Sequence, residues 1–122
     1  LLGLILNKIQ YNDNGELAWF AIDKSMMDEA GANKKDVDGF TDFVRAIRGV
    51  EIAVMIFENS DNTCRINFRS KGKYVINGIA KAMGGGGHKL AAGSVAEGSL
   101  DEVLPKVLAK TRALLAQQKG HS

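Results

Sequence analysis

The sequence predicts an α/β (α+β) domain built on a mixed β-sheet of about five strands with helices packed against it. Three observations carry this. Ile52 to Phe57 is a run apolar at every position, which suits a central strand covered on both sides. Cys64, Ile66 and Phe68 alternate with Thr63, Arg65, Asn67 and Arg69, the period of a strand with one inner face. Two further segments repeat apolar residues at helical spacing. With 122 residues, 45% of them hydrophobic and 25% charged, the chain has globular composition and suffices for one domain, taken as residues 1–122.

In chain order, Leu1 to Asn7 is read as the end of a helix. Lys8 to Tyr11 and Glu16 to Ile22 flank Asn12-Asp13-Asn14-Gly15, whose Asn-Gly pair favours a tight hairpin turn. Ser25 with Asp28 resembles a cap for a short helix that Gly31 stops. Asp36 is expected to cap a stronger helix with Val37, Phe40, Phe43, Val44 and Ile47 on its core face, ended by Gly49. The strands at 52–57 and 63–69 follow, joined by Asn59-Ser60-Asp61-Asn62. Asn77 is placed as the cap of a helix carrying Ile79, Ala80 and Met83. Ala91, Gly93 and Val95 suggest a last strand of small residues. Ser99 with Glu102 forms a capping box for a final amphipathic helix, in which Pro105 imposes either a kink or a late start.

Composition excludes several classes of function. Sixteen Lys+Arg against fourteen Asp+Glu leave a charge of +2, too mild for wholesale binding to a nucleic-acid backbone, so an anion site must be local. One cysteine excludes an internal disulfide framework, and two histidines argue against a four-ligand zinc site. LLGLIL is far too short to span a bilayer, which needs roughly 20 apolar residues. The chain opens on Leu, so we expect it to be a piece of something longer, of cytoplasmic origin and without membrane contact.

Glycine is the informative excess. Gly84-Gly85-Gly86-Gly87 costs backbone entropy four times over, which makes sense where main chain must approach a bulky group or turn N–H groups to an anion. A plain flexible loop is the alternative. His88 and Lys89 add donors beside it. The run is not a Walker loop, because GxxxxGK[ST] is absent, and GxGxxG fails at Lys89. A second basic element is the strand face of Arg65, Asn67 and Arg69 followed by Ser70, Lys71 and Lys73. Such a face is ordinarily solvated, yet the arginine fork also suits phosphate. HExxH and clustered metal-ligand spacing are missing, Asp36 and Asp38 read as helix-start residues rather than ligands, and Cys64 falls on the apolar side of its strand. The residues alone therefore point to anion binding without machinery for cleavage.

The stretch FRSKGKYVINGIAKAMGGGGHKLAAGS, residues 68 to 94, resembles the signature of the DHHA1 domain, the smaller C-terminal lobe of DHH-type phosphoesterases. The upstream hairpin, GANKKDVDGF and RGVEIAVMIF resemble the same lobe in the nanoRNase and 3′-phosphoadenosine-5′-phosphate phosphatase group, often described as exopolyphosphatase-related. The resemblance implies a two-lobed enzyme acting on short RNA or nucleotide phosphates. It implies that no cofactor sits on this chain and that divalent metal, usually manganese, is held by a DHH lobe outside it. Arg69, Ser70 and Lys71 match phosphate-contacting positions. Gly84, Gly85, Gly86, Gly87 and His88, with Lys89 beside them, match the segment facing substrate and metals, His88 in the catalytic role. Expected partners are the substrate, the DHH lobe of the same chain and a second copy in a homodimer. The alternatives within the resemblance are an RNA-binding module of the tRNA-synthetase type, against which His88-Lys89 argues, and the lobe of a cyclic-dinucleotide phosphodiesterase or RecJ-like exonuclease.

Overall fold

A computed structural model describes residues 9–12, 15–26 and 34–119. Its strands are β1 (Gln10–Tyr11), β2 (Leu17–Ile22), β3 (Ile52–Glu58), β4 (Thr63–Ser70), β5 (Gly86–His88) and β6 (Ala91–Glu97). Its helices are α1 (Lys34–Arg45), α2 (Asn77–Ala82) and α3 (Leu100–Lys119). They form one mixed sheet in the order β1-β2-β3-β4-β6-β5, with β2 and β3 parallel and every other pair antiparallel. The expected sheet of about five strands gains a sixth, because the second half of the glycine run is itself a strand.

The apolar run of β3 is central because both of its faces find a core. Ile52, Val54 and Ile56 join Cys64, Ile66 and Phe68 in a cluster closed by Ile79 and Ala80 of α2 and by Val103, Val107 and Leu115 of α3. Ala53, Met55 and Phe57 face the other way, with Ala18, Phe20 and Ile22, under Phe40 and Val44 of α1. Thr41 is buried in that second layer and donates its hydroxyl to Met55 Sδ at 3.1 Å. Helix α1 packs on β2, β3 and β4, so among the described residues no helix covers the same face of β6 and β5, and Val95 there is 57% exposed.

Local signals shifted where neighbours offered a better partner. The hairpin between β1 and β2 pairs Tyr11 with Ala18, wider than a two-residue turn, and Asn12 Oδ1 accepts the Leu17 amide at 3.1 Å. Asp23, not Ser25, caps the helical turn at 24–26, accepting the Met26 amide at 2.8 Å; the remainder of that expected helix, like Leu1 to Asn7, lies outside the described residues. Helix α1 starts at Lys34, so Asp36 is its third residue and not its cap. Phe43 is exposed: it lies about 100° round the helix from Val44, off the buried stripe. Asn77 is the first residue of α2, and Ile76 takes the cap position with no side-chain hydrogen bond.

Helix α3 is continuous through Pro105, its sixth residue. The proline is on the exposed side, so the carbonyl it leaves unpaired faces water. The helix start is held from another element: Glu58 at the end of β3 accepts the Leu100 amide at 2.8 Å and the Lys24 amide at 3.5 Å. Ser99 donates to Glu102 at 3.2 Å beside it.

The glycine run divides by role. Gly84, at φ +84°, and Gly85 close α2 in a Schellman arrangement, their amides donating to Lys81 O (3.1 Å) and Ala80 O (2.7 Å). A Cβ on Gly85 would run into Gly93 O and come within 2.6 Å of Ser94 Cβ. One on Gly87, at φ +143°, would lie 2.6 Å from Ala92 Cα. Gly86 between them has open space where a Cβ would go. We therefore expect Gly85→Ala to lower stability by about 2 kcal/mol or more through forced displacement of β6. Gly86→Ala should change it by no more than about 0.5 kcal/mol, which urea melts of the two variants will check.

Cys64 is fully buried, and its thiol donates to Gly98 O at 3.5 Å. Burial, then the charges of Glu58 and Glu102, push its pKa up to about 11 from 9.0. A raised folded pKa means that the protonated thiol contributes stability in full below pH 9, lost as pH rises toward 11. Native protein should resist thiol reagents at pH 8 and react only on unfolding. Cys64→Ala should flatten the stability loss between pH 9 and 11.

Candidate functional site

The bare face is defined by strand register. Paired residues on antiparallel neighbours point to the same side, so the alternation of β4 is carried across β6 to β5. Arg69 pairs with Ala91, and Ala91 with His88. Asn67 pairs with Gly93, and Gly93 with Gly86. Arg65 pairs with Val95, beyond the end of β5. Three rows result. His88 and Arg69 flank the small Ala91, with their backbones two strand spacings or about 10 Å apart.

Between these rows the floor is nearly all main chain. Arg65, Asn67, Arg69, Gly86, Gly87, Ala91, Ala92 and Gly93 line an open groove of about 220 Å³. A Cβ on Gly93 would press on Ile66 O at 3.2 Å and Asn67 Oδ1 at 3.5 Å, so its absence keeps the floor flat. Arg69 is held from the side: its Nε donates to Asp42 Oδ1 of α1 at 3.3 Å and its Nη1 to Phe68 O at 2.9 Å. Asp42 also lies 3.7 Å from Arg45 Nη2, so one carboxylate serves two guanidinium groups at the rim. Five donors per guanidinium leave Arg69 with N–H groups beyond these two bonds.

The structure brings together Arg69, Gly86, Gly87 and His88 of the expected site residues. Gly84 and Gly85 lie at the adjoining end, where the loop leaves α2. Ser70 is on the opposite face, 2% exposed, its hydroxyl donating to Tyr74 O at 2.5 Å and accepting the Gly72 amide at 3.2 Å. Period-two alternation separates it from Arg69. Lys71 reaches back to Ile47 O at 2.8 Å, at the far side of α1. Lys89 stands exposed in the two-residue tip between β5 and β6, its carbonyl accepting the Ile76 amide at 2.9 Å. Lys73 is engaged elsewhere, bonding Glu16 at 2.7 Å, and that hydrogen bond raises its pKa.

Arg65 and Asn67 belong to the groove as much as Arg69 does. Their signal was the polar half of the β4 alternation. Gly93 is the groove residue that sequence reasoning did not single out, since it read there only as part of a strand of small residues; Ser94 beside it pairs with Ile66 and faces the helix-covered side. Among the described residues no group of three or more His, Cys, Asp and Glu could hold a metal ion. No helix among them is long and apolar enough to cross a membrane.

Comparison with known proteins agrees with this architecture. The bifunctional oligoribonuclease and PAP phosphatase NrnA of Bacillus subtilis is 34% identical over 94 residues, 77% of this chain and 29% of that protein. The protein of the same name from Thermus thermophilus is 29% identical over 118 residues, 96% of this chain and 35% of that one. The chain thus spans about a third of the length of these relatives. A crystal structure of an exopolyphosphatase-related protein from Bacteroides fragilis superposes with a TM-score of 0.82 at 25% identity, covering 97% of this chain and 34% of that one. The C-Ala domain of Aquifex aeolicus alanyl-tRNA synthetase shares the fold at a TM-score of 0.66 and 10% identity, over 87% of this chain and 97% of that domain. Residues 15–117 match the DHHA1 domain. The chain belongs to the DHHA1 domain family.

Proposed function

We propose that this chain is the substrate-holding lobe of a two-lobed phosphoesterase, and that a short oligoribonucleotide or nucleotide phosphate lies on the bare half of its sheet. The observation that carries this reading is the row His88–Ala91–Arg69 on a face that no described helix covers. The names of the two curated relatives, oligoribonuclease and PAP phosphatase, support the substrate class.

In this reading Arg69, fixed by Asp42 and the Phe68 carbonyl, presents its remaining N–H groups to a phosphate. Its geometry is set before ligand arrives, which lowers the ordering cost of binding. Gly86, Gly87 and Gly93 let a sugar or base lie against backbone. His88, at the open edge, donates a hydrogen bond to an oxygen of the reacting phosphoryl group and stabilises charge that develops there. Ser70 acts through the turn it braces, holding residues 70–74 in shape, and Lys71 and Lys89 add positive potential at the two ends. Divalent metal, manganese in the expectation above, and water activation belong to the companion DHH lobe.

Titration of this chain with adenosine 3′,5′-bisphosphate, followed by NMR amide shifts at low and moderate salt, tests the reading. Shifts should centre on Arg69 and Gly86 to His88, and Arg69→Gln should weaken binding by about tenfold. No shifts at millimolar ligand, or shifts centred on α2 and α3, would overturn it. In the two-lobed parent, His88→Ala should lower turnover by at least about tenfold at unchanged metal content. Near-normal turnover would remove His88 from its role.

A further inference from the structure

His88 ends β5, a three-residue strand at the edge of the sheet, and a strand so short is weakly held by pairing alone. The tip that follows it is gripped from outside the hairpin. The Ser70 amide donates to Leu90 O and the Ile76 amide to Lys89 O, each at 2.9 Å. Both donors flank one loop, residues 71–75, which is itself fastened to several elements. Lys71 reaches Ile47 O at 2.8 Å. Glu16, just before β2, accepts Lys73 Nζ at 2.7 Å and the Tyr74 hydroxyl at 3.0 Å.

The end of the loop is fastened from the last turn of α3. Gln118 accepts the Val75 amide on Oε1 at 3.0 Å and donates from Nε2 to Val75 O at 2.8 Å. Its carboxamide meets Val75 as a neighbouring strand would, donor to acceptor and acceptor to donor. Helical spacing carries it there. Thr111 and Leu115 are buried on the core side of α3, and Gln118 continues their stripe where the helix runs past the core. Val75 O and the Ile76 N–H belong to one planar peptide group. That plane is held at both ends, by Gln118 Nε2 on its oxygen and by Lys89 O on its hydrogen. The donor on the oxygen fixes the tilt of the plane and polarises the N–H that grips the tip.

We propose that Gln118 is a positioning residue for His88, acting through the Val75–Ile76 peptide and the carbonyl of Lys89, the next residue after His88. The inference rests on the role given to His88 above and adds the device that aims it. Arg69 is fastened independently, to Asp42 and Phe68 O, so the two sides of the groove are set from different helices. Loss of Gln118 therefore disturbs the His88 side and leaves the Arg69 side in place.

The test uses Gln118→Ala and Gln118→Glu. Ionised glutamate keeps the acceptor for the Val75 amide and lacks the donor for Val75 O, so both variants release the plane. In this chain, amide hydrogen exchange at Ile76 should quicken about fivefold or more in each. Exchange at Ser70, which grips Leu90 O without Gln118, should stay within about twofold. In the two-lobed parent each variant should lower kcat about fivefold and leave KM within about twofold. On a His88→Ala background the same substitutions should cost nothing further. A loss that adds in full to that of His88→Ala, a change in KM alone, unchanged kcat or unchanged Ile76 exchange would each overturn the positioning role. Near-normal turnover of His88→Ala by itself would instead remove the functional reading on which this inference rests. Melting curves of both variants will show that the fold is kept.

Discussion

Strand β5 lies so close to β6 that no side chain fits at Gly85 or Gly87, and the whole candidate site depends on that approach. Any residue with a Cβ there would push the edge strand away from Ser94 and Ala92. The groove floor would then lose its continuity from β4 to β5, and His88 would no longer share a row with Arg69. The same closeness explains why so costly a run of glycines occurs here. Two are required by contact with β6 and one by the left-handed close of α2, while Gly86 alone is unconstrained by the protein's own atoms.

Asymmetric coverage of the sheet is the other half of the design. Among the described residues, helices α2 and α3 pack on one face of the sheet, whereas α1 packs on the opposite face over β2 to β4. Polar side chains on β4 therefore meet helix α1 at one end and open groove at the other. Asp42 stands at that boundary and orients Arg69 toward the groove. An arginine braced by a carboxylate keeps its charge and loses rotamer freedom, which is what recognition of a planar or forked anion rewards. Arg65 has no such brace, and its Nε is left buried and unpaired.

Much of this was legible in the sequence because period-two alternation is a geometric statement. The split of β4 into Cys64, Ile66, Phe68 and Arg65, Asn67, Arg69 follows from the pleat alone. So does the central place of β3, whose apolar run could be satisfied only with cover on both sides. What was not legible depended on distant partners. The sixth strand was hidden because glycine disfavours strands in isolation and is ordered there only by β6. Ser70, next to Arg69 in sequence, falls on the other face by the same alternation, and its hydroxyl is claimed by Tyr74 O. Caps moved where a remote acceptor was better placed, as with Glu58 at the start of α3. Gly93 gave no signal, since its part in the groove is the side chain it lacks.

The groove is also built from the outermost strands on its side of the sheet. β5 is three residues long and pairs with β6 alone, and on that face no described helix presses on either strand. Edges of this kind sit at the low end of a protein's range of local opening free energies, below the doubly covered centre. Occupancy of the groove is therefore linked to closure of the edge: a ligand that bridges β4 and β5 stabilises the closed form by mass action. The lobe is in this sense a clasp whose hinge side is its hydrophobic core and whose free lip is a ribbon of bare backbone.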